Sequence, residues 1–195
     1  VSKHIEQFEI TPEVISQVIE YRMRHEVDAG RYNLKRGMGG TFEIETIAQT
    51  LYLKHFNRGA VKRVSSTMKM LTRLSGCRDL DITDASHLVS SYGFLRRIES
   101  CLRLMDLPKR HSLPLHEPIE ATTIEQAPTN GPANSLRMAV DELSYYHSDS
   151  FGDLQFEQRQ LARLMGFDRF DSLVEEVESH KVANRKLFEK TFQSL

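Results

Sequence analysis

Through most of the chain between Thr11 and Phe192 the apolar residues recur every three to four positions, and apolar-polar alternation never persists over a run of Val, Ile, Thr or aromatic residues. That spacing argues against a sheet-built fold and calls for amphipathic helices, each burying one stripe against its neighbours. Thr11-Pro12-Glu13 supplies an N-cap, a proline at the first helical position and an acid behind it. Val14, Ile15, Val18, Ile19 and Met23 then form the inner stripe up to a stop at Gly30. A second helix is expected from Thr41 to Phe56 on Ile44, Ile47, Ala48, Leu51 and Phe56. A third runs from Ala60 to Ser75 with Val64, Met68, Leu71 and Leu74 inside and Lys62, Lys69 and Arg73 as a solvated basic stripe. A fourth, from Thr83 to Met105, places Leu88, Tyr92, Leu95, Ile98, Leu102 and Met105 on one side. Asp153 to Met165 is short and is stopped by Gly166, and the last helix, from Phe170, buries Phe170, Leu173, Val174, Val177, Phe188 and Phe192. His180, Lys181 and Asn184 interrupt that last stripe. The expected fold is all-α, an up-and-down bundle of about six to eight helices forming one domain over 1–195.

Composition narrows the function classes. Hydrophobic residues at 39% and charged ones at 27% support one real core. Lys plus Arg at 26 against Asp plus Glu at 27 gives a net charge of −1, so no overall field draws the molecule to nucleic acid or anionic lipid. Cys77 and Cys101 have neither a pairing framework nor metal-ligand spacing, which fits a reducing cytoplasm. No apolar run nears the ~18 residues of a membrane span. The chain begins at Val1 and is read as a fragment of a larger protein.

The dense chemical signal is Asn33-Leu34-Lys35-Arg36-Gly37-Met38-Gly39-Gly40-Thr41-Phe42-Glu43-Ile44-Glu45. Gly37, Gly39 and Gly40 cost backbone entropy beyond what a plain loop needs, so some serve positive φ or close approach. A Gly-rich turn that opens a helix can aim backbone N–H groups and the positive dipole end at one point, with Lys35 and Arg36 beside it. That point suits a phosphate or a carboxylate. The alternative is a tight helix-to-helix turn with solvated charges, Glu43 and Glu45 complementing the dipole of the next helix.

Three further features bear on chemistry. Asp79-Leu80-Asp81 has the form of a metal-binding carboxylate pair, but it precedes Ile82-Thr83-Asp84 and a long helix, so it reads as capping and turn chemistry. Glu99 falls inside the apolar face of the fourth helix, where a carboxylate needs a partner. Arg96 and Arg103 are available on the same helix, and Lys35 and Arg36 from the turn, which gives either a structural ion pair or a clamp on the turn. His111 and His116 flank the Leu-Pro turn without a third ligand, so no metal site is expected. Four of the six prolines lie between Pro114 and Pro132, marking a long insertion at about 115–134, and Ser135 to His147 returns to helical spacing on Leu136, Val140 and Leu143.

Lys35-Arg36-Gly37-Met38-Gly39-Gly40-Thr41-Phe42-Glu43-Ile44-Glu45 resembles the Lys-x-Gly-x-Gly-Gly-Ile-x-Asp/Glu-Ile-Glu-Phe signature of glutamine synthetase adenylyltransferase. Tyr92-Gly93-Phe94-Leu95-Arg96-Arg97-Ile98-Glu99, His111-Ser112-Leu113-Pro114, Leu161-Ala162-Arg163-Leu164-Met165-Gly166-Phe167 and His180 to Phe188 follow in the family's order. The related uridylyltransferase of nitrogen regulation has a shorter Gly-rich signature of the same kind, and the equivalent domain of that enzyme is the near alternative. Thr41 and Thr46 replace usual apolar residues, Met38 is bulky for the turn, and Asn184 stands where the family has Val.

The resemblance implies a helical domain that follows a nucleotidyltransferase domain in an enzyme attaching AMP from ATP to a tyrosine of glutamine synthetase and removing it by phosphorolysis. ATP and Mg²⁺ would belong to the full-length enzyme, and this fragment, which carries no catalytic residue or metal site, would be inactive alone. Lys35, Arg36, Gly37, Gly39, Gly40, Glu43 and Glu45 are its nucleotide-binding or positioning candidates, and Glu99 with Arg96 and Arg103 its structural ion pair. The implied partners are the adjacent catalytic domain, glutamine synthetase and a PII-type signalling protein. A pure interaction module docking one of those proteins is the reading from a different class.

Overall fold

The computed structural model describes residues 9–27, 29–57, 64–107, 111–115 and 153–195. Six helices lie among them: α1 (Pro12–Val27), α2 (Thr41–Asn57), α3 (Thr67–Leu74), α4 (Ile82–Leu104), α5 (residues 153–165) and α6 (Phe170–Gln193). No strand occurs among the described residues, only the isolated bridges Asn33 to Ser112 and Cys77 to Leu80. The insertion beyond Leu115 and the helical spacing from Ser135 to His147 lie outside the described residues.

Helix α2 is the centre, packing against α1, α3, α4 and α6. Ile44, Ile47, Ala48 and Leu51 are fully buried, and Thr46, Thr50 and His55 are buried as well, so this helix is enclosed on most sides. A buried polar side chain must be satisfied locally: Thr46 Oγ1 donates to the Phe42 carbonyl at 2.7 Å. Around α2 the core takes Leu71 and Leu74 from α3, Leu88, Leu95, Ile98 and Leu102 from α4, Leu161 from α5, and Leu173 and Val177 from α6. Each fully buried aliphatic side chain contributes roughly 1.5–3 kcal/mol.

Two expectations about the helices are corrected. The third helix begins at Thr67, not Ala60, because residues 64–66 are not helical: Val64 N–H donates to the Tyr52 hydroxyl at 2.7 Å, and Ser66 stands at the N-cap in β conformation. Met68, expected inside, is exposed. In α1 it is Arg22 that is buried with Ile15, while Met23 faces outward. The Asp79-Leu80-Asp81 turn performs two jobs. Asp81 caps α4, accepting from Asp84 N–H at 2.8 Å, whereas Asp79 accepts from Lys54 Nζ and bonds His55 Nε2, both at 3.0 Å.

Candidate functional site

The Gly-rich turn joins α1 to α2, and its backbone closes on itself. Thr41 N–H donates to Leu34 O at 2.9 Å, Phe42 N–H to Lys35 O at 3.1 Å and Glu43 N–H to Gly40 O at 3.0 Å. The first amides of α2 are therefore spent on carbonyls of the turn, and the open dipole end read from the sequence is closed. Asn33 Oδ1 accepts from Lys35 and Arg36 N–H at 3.0 and 2.8 Å, folding the two cations into a tight turn. Gly39 has φ +71°, and a Cβ there would lie 1.9 Å from the Lys181 carbonyl of α6. Only glycine allows both the left-handed conformation and that approach. Gly37 and Gly40 are hemmed in by the turn's own carbonyls: an added Cβ would meet Asn33 O at 2.4 Å and Lys35 O at 2.6 Å respectively.

Beneath the turn lies a buried charge cluster. Arg22, fully buried, donates from Nη2 to Gly37 O at 2.9 Å and to Glu43 Oε1 at 2.8 Å. Arg185 of α6 reaches the same Glu43 oxygen at 2.6 Å and also binds Glu26, which lies 3.4 Å from Arg22. Two guanidiniums and two carboxylates thus balance, the condition under which burying them is tolerable. Burial pushes the Glu43 carboxyl upward against the opposing pull of Arg22 and Arg185. Burial lowers Arg22, against the pull of Glu43 and Glu26, yet a guanidinium keeps its proton at any accessible pH. Arg22 and Arg185 each stand 5.7 Å from an aromatic centroid, of Phe42 and Phe188, which gives the unpaired faces of the forks a favourable neighbour.

The side facing α6 is closed by an amide. Asn184, with no exposed surface, donates from Nδ2 to Gly39 O and to Ser91 Oγ, both at 2.8 Å, and its Oδ1 lies 3.2 Å from His87 Nε2. Gly39 O can only accept, so Oδ1 must face His87 and that imidazole nitrogen carries the proton. Lys181, also buried, donates to Arg31 O. Two of the three residues that interrupt the α6 stripe, Lys181 and Asn184, are thus the ones that hold the turn.

Glu99 braces the turn from the other flank. It is fully buried, with Arg96 Nη1 at 2.6 Å and His111 Nδ1 at 3.1 Å. His111 carries the connection onward, because its carbonyl accepts from Leu34 N–H at 2.6 Å, and Leu113 N–H donates to Tyr32 O at 3.2 Å. From α5, Gln158 Nε2 donates to Pro114 O at 2.8 Å and fixes the same segment.

The sequence-predicted residues therefore separate. Gly37, Gly39, Gly40 and Glu43 face inward; Glu45 accepts from the Tyr92 hydroxyl at 2.8 Å, and burial with that carboxylate raises the phenol. Lys35 is half-buried and Arg36 exposed, and neither makes an ion pair among the described residues. Arg103 is exposed on α4 and is not a partner of Glu99; His111 takes that place. Arg22, Arg185, His111 and Asn184 are the positions sequence reasoning missed. Two of them had a visible signal: Arg22 falls seven residues after Ile15 on the same stripe, and Asn184 is a polar residue within the apolar stripe of the last helix. No group of three or more His, Cys, Asp or Glu able to hold a metal ion is found among the described residues.

Residues 13–138 match the GlnD PII-uridylyltransferase family. Relatives include the bifunctional glutamine synthetase adenylyltransferase/adenylyl-removing enzyme of Bradyrhizobium sp. (strain ORS 278), 37% identical over 98 residues, which is 50% of this chain and 10% of that protein. The enzyme of the same description from Mycobacterium marinum (strain ATCC BAA-535 / M) is 36% identical over 88 residues, 45% of this chain and 9% of that protein. That from Mannheimia haemolytica is 34% identical over 121 residues, 62% of this chain and 11% of that protein. The aligned stretches thus span about a tenth of these relatives' length.

Proposed function

The chain belongs to the GlnD PII-uridylyltransferase family, and on that premise we propose that it is the helical domain that works beside a nucleotidyltransferase domain in the regulation of glutamine synthetase. Its part is to present Lys35 and Arg36 to the phosphates of a nucleotide held by that neighbour. The observation that carries this reading is the split within the turn: the charges beneath it, Arg22, Glu43 and Arg185, are paired with one another, and the half-buried Lys35 and the exposed Arg36 make no ion pair among the described residues. A fold that needed only a helix reversal would not require two such cations on a turn so firmly held.

Cations fixed beforehand cost no reorganisation when charge develops on a transferring phosphoryl group, which is where such positioning lowers a barrier. Magnesium and ATP would belong to the full-length enzyme that includes the catalytic domain. Glutamine synthetase is the substrate protein that the relatives' names supply, and a PII-type protein the one that the family's name supplies.

The test is made in a chain joined to its catalytic domain. Lys35→Ala with Arg36→Ala is expected to lower nucleotidyl transfer by about 10-fold or more, as when a positioning charge leaves a phosphoryl site, with the melting temperature unchanged. Full turnover with a lowered melting temperature would make the turn purely structural. A protein-docking role is the second reading. It is supported by Met23, Val27, Met38 and Val182, exposed apolar side chains that line a groove of about 560 Å³ beside the turn.

A further inference from the structure

Three rings stand together where α1 meets the start of α2. Tyr21 and His25, one turn apart on α1, have centroids 4.2 Å apart. Phe42 lies edge-on to both, at 6.0 Å from Tyr21 and 5.7 Å from His25. His25 Nδ1 donates to the Tyr21 carbonyl at 2.8 Å, which fixes the imidazole beside the phenol. Tyr21 is nevertheless 56% exposed. These rings do not anchor α1, whose buried residues are Ile15 and the ion-paired Arg22. A large aromatic ring held beside its neighbours, with more than half of its residue surface exposed, offers an unused surface for stacking.

Its position gives it a ligand class. Phe42 N–H donates to the Lys35 carbonyl at 3.1 Å, so the ring cluster borders directly on the turn that carries Lys35 and Arg36, neither of which makes an ion pair among the described residues. An aromatic platform flanked by cations is the combination that takes up a planar base and the phosphates attached to it. The charge of the border argues for an anionic partner, and the flat, rigid rings argue for a planar one.

We propose that Tyr21, supported by His25, stacks the base of a nucleoside triphosphate whose phosphates lie against Lys35 and Arg36; this rests on the reading of the turn given above. Stacking of this kind tolerates any base, because every base has a π-face. Base identity is then chosen elsewhere, and the platform sets where the nucleotide lies.

The chain is titrated with ATP and, separately, with inorganic tripolyphosphate, following the ring resonances of Tyr21 and His25 by NMR. ATP is expected to shift both sets of ring signals, and tripolyphosphate to bind without shifting them. Tyr21→Ala should weaken ATP about 5- to 150-fold, the range for loss of one stacked base, and leave tripolyphosphate unchanged, while Tyr21→Phe retains ATP binding. Lys35→Ala with Arg36→Ala should weaken both ligands. Equal affinity for ATP and tripolyphosphate, unaffected by Tyr21→Ala, would overturn the platform and leave the phosphate role of the turn standing. Absence of ATP binding at millimolar concentration would also overturn the platform, and the turnover experiment decides the turn independently.

Discussion

Glu43 and Glu99 are both fully buried carboxylates that brace the same turn, but their partners differ in kind. Glu43 is gripped by Arg22 and Arg185, whose side chains are 0% and 12% exposed, from helices at opposite ends of the chain. Glu99 is held by Arg96 and His111, each 40% exposed, and acts on the turn only through the His111 backbone. The cost of losing a buried charge depends on whether its abandoned partners can return to water. Below the turn they cannot; beside it they can. The turn is therefore set from beneath and steadied from the side.

The harshest way to break that ordering is Gly39→Val. It places a β-branched side chain at φ +71° and drives a Cβ into the Lys181 carbonyl, so the loss is expected to exceed ~4 kcal/mol, read as failure to fold or a collapsed urea midpoint. A variant of near wild-type stability would mean that the turn does not press on α6.

Next in size is the contrast between the glutamates themselves. Glu43→Ala leaves two enclosed guanidiniums with Glu26 as their one remaining carboxylate and should cost ~3–5 kcal/mol. Glu99→Ala should cost about 1.5–3 kcal/mol, because Arg96 and His111 regain solvent. Urea denaturation of both variants measures the gap, with Glu20→Ala, at an exposed i,i+4 pair with Arg24, as the reference that should barely move. Equal losses from Glu43→Ala and Glu99→Ala would dissolve the distinction between the two braces.

A smaller effect comes from pH. His180 lies on α6 beside His87 and is stacked on Phe94 at 4.9 Å; burial depresses its pKa, partly offset by Glu176 and reinforced by His87. Between the depressed folded value and the unfolded ~6.5, the unfolded chain binds the extra proton. Stability is then fully present above ~6.5 and is lost as pH falls through the folded value. His180→Gln should flatten that part of the melting temperature against pH. An unaltered slope in the variant would place the titrating group elsewhere.

These contrasts also mark how far the sequence could be read. Helical periodicity located α1, α2, α4 and α6, because each buries a stripe that repeats along its own axis. The same angular argument found that Glu99 is buried, and applied to Arg22 it would have found that too. It overextended α3, since Val64 fits the spacing while its amide is taken by Tyr52. Glu43 looked like a residue at a solvated helix start because nothing local distinguishes that from a buried one. Its partners lie 21 and 142 positions away, and such pairing leaves no periodic trace. His111 and Asn184 escaped for the same reason: one looked like a stray imidazole and the other like a flaw in an apolar stripe, until Glu99 and the Gly39 carbonyl were seen opposite them.

The claim that the turn is fixed from beneath, independently of the cations it displays, is tested most directly by amide hydrogen exchange at Thr41 and Phe42, whose N–H groups close the turn. Their protection is predicted to be unchanged in the Lys35→Ala, Arg36→Ala double variant and largely lost in Glu43→Ala, while the central amides of α4 stay protected in both. Loss of protection in the double variant, or its retention in Glu43→Ala, would contradict the account.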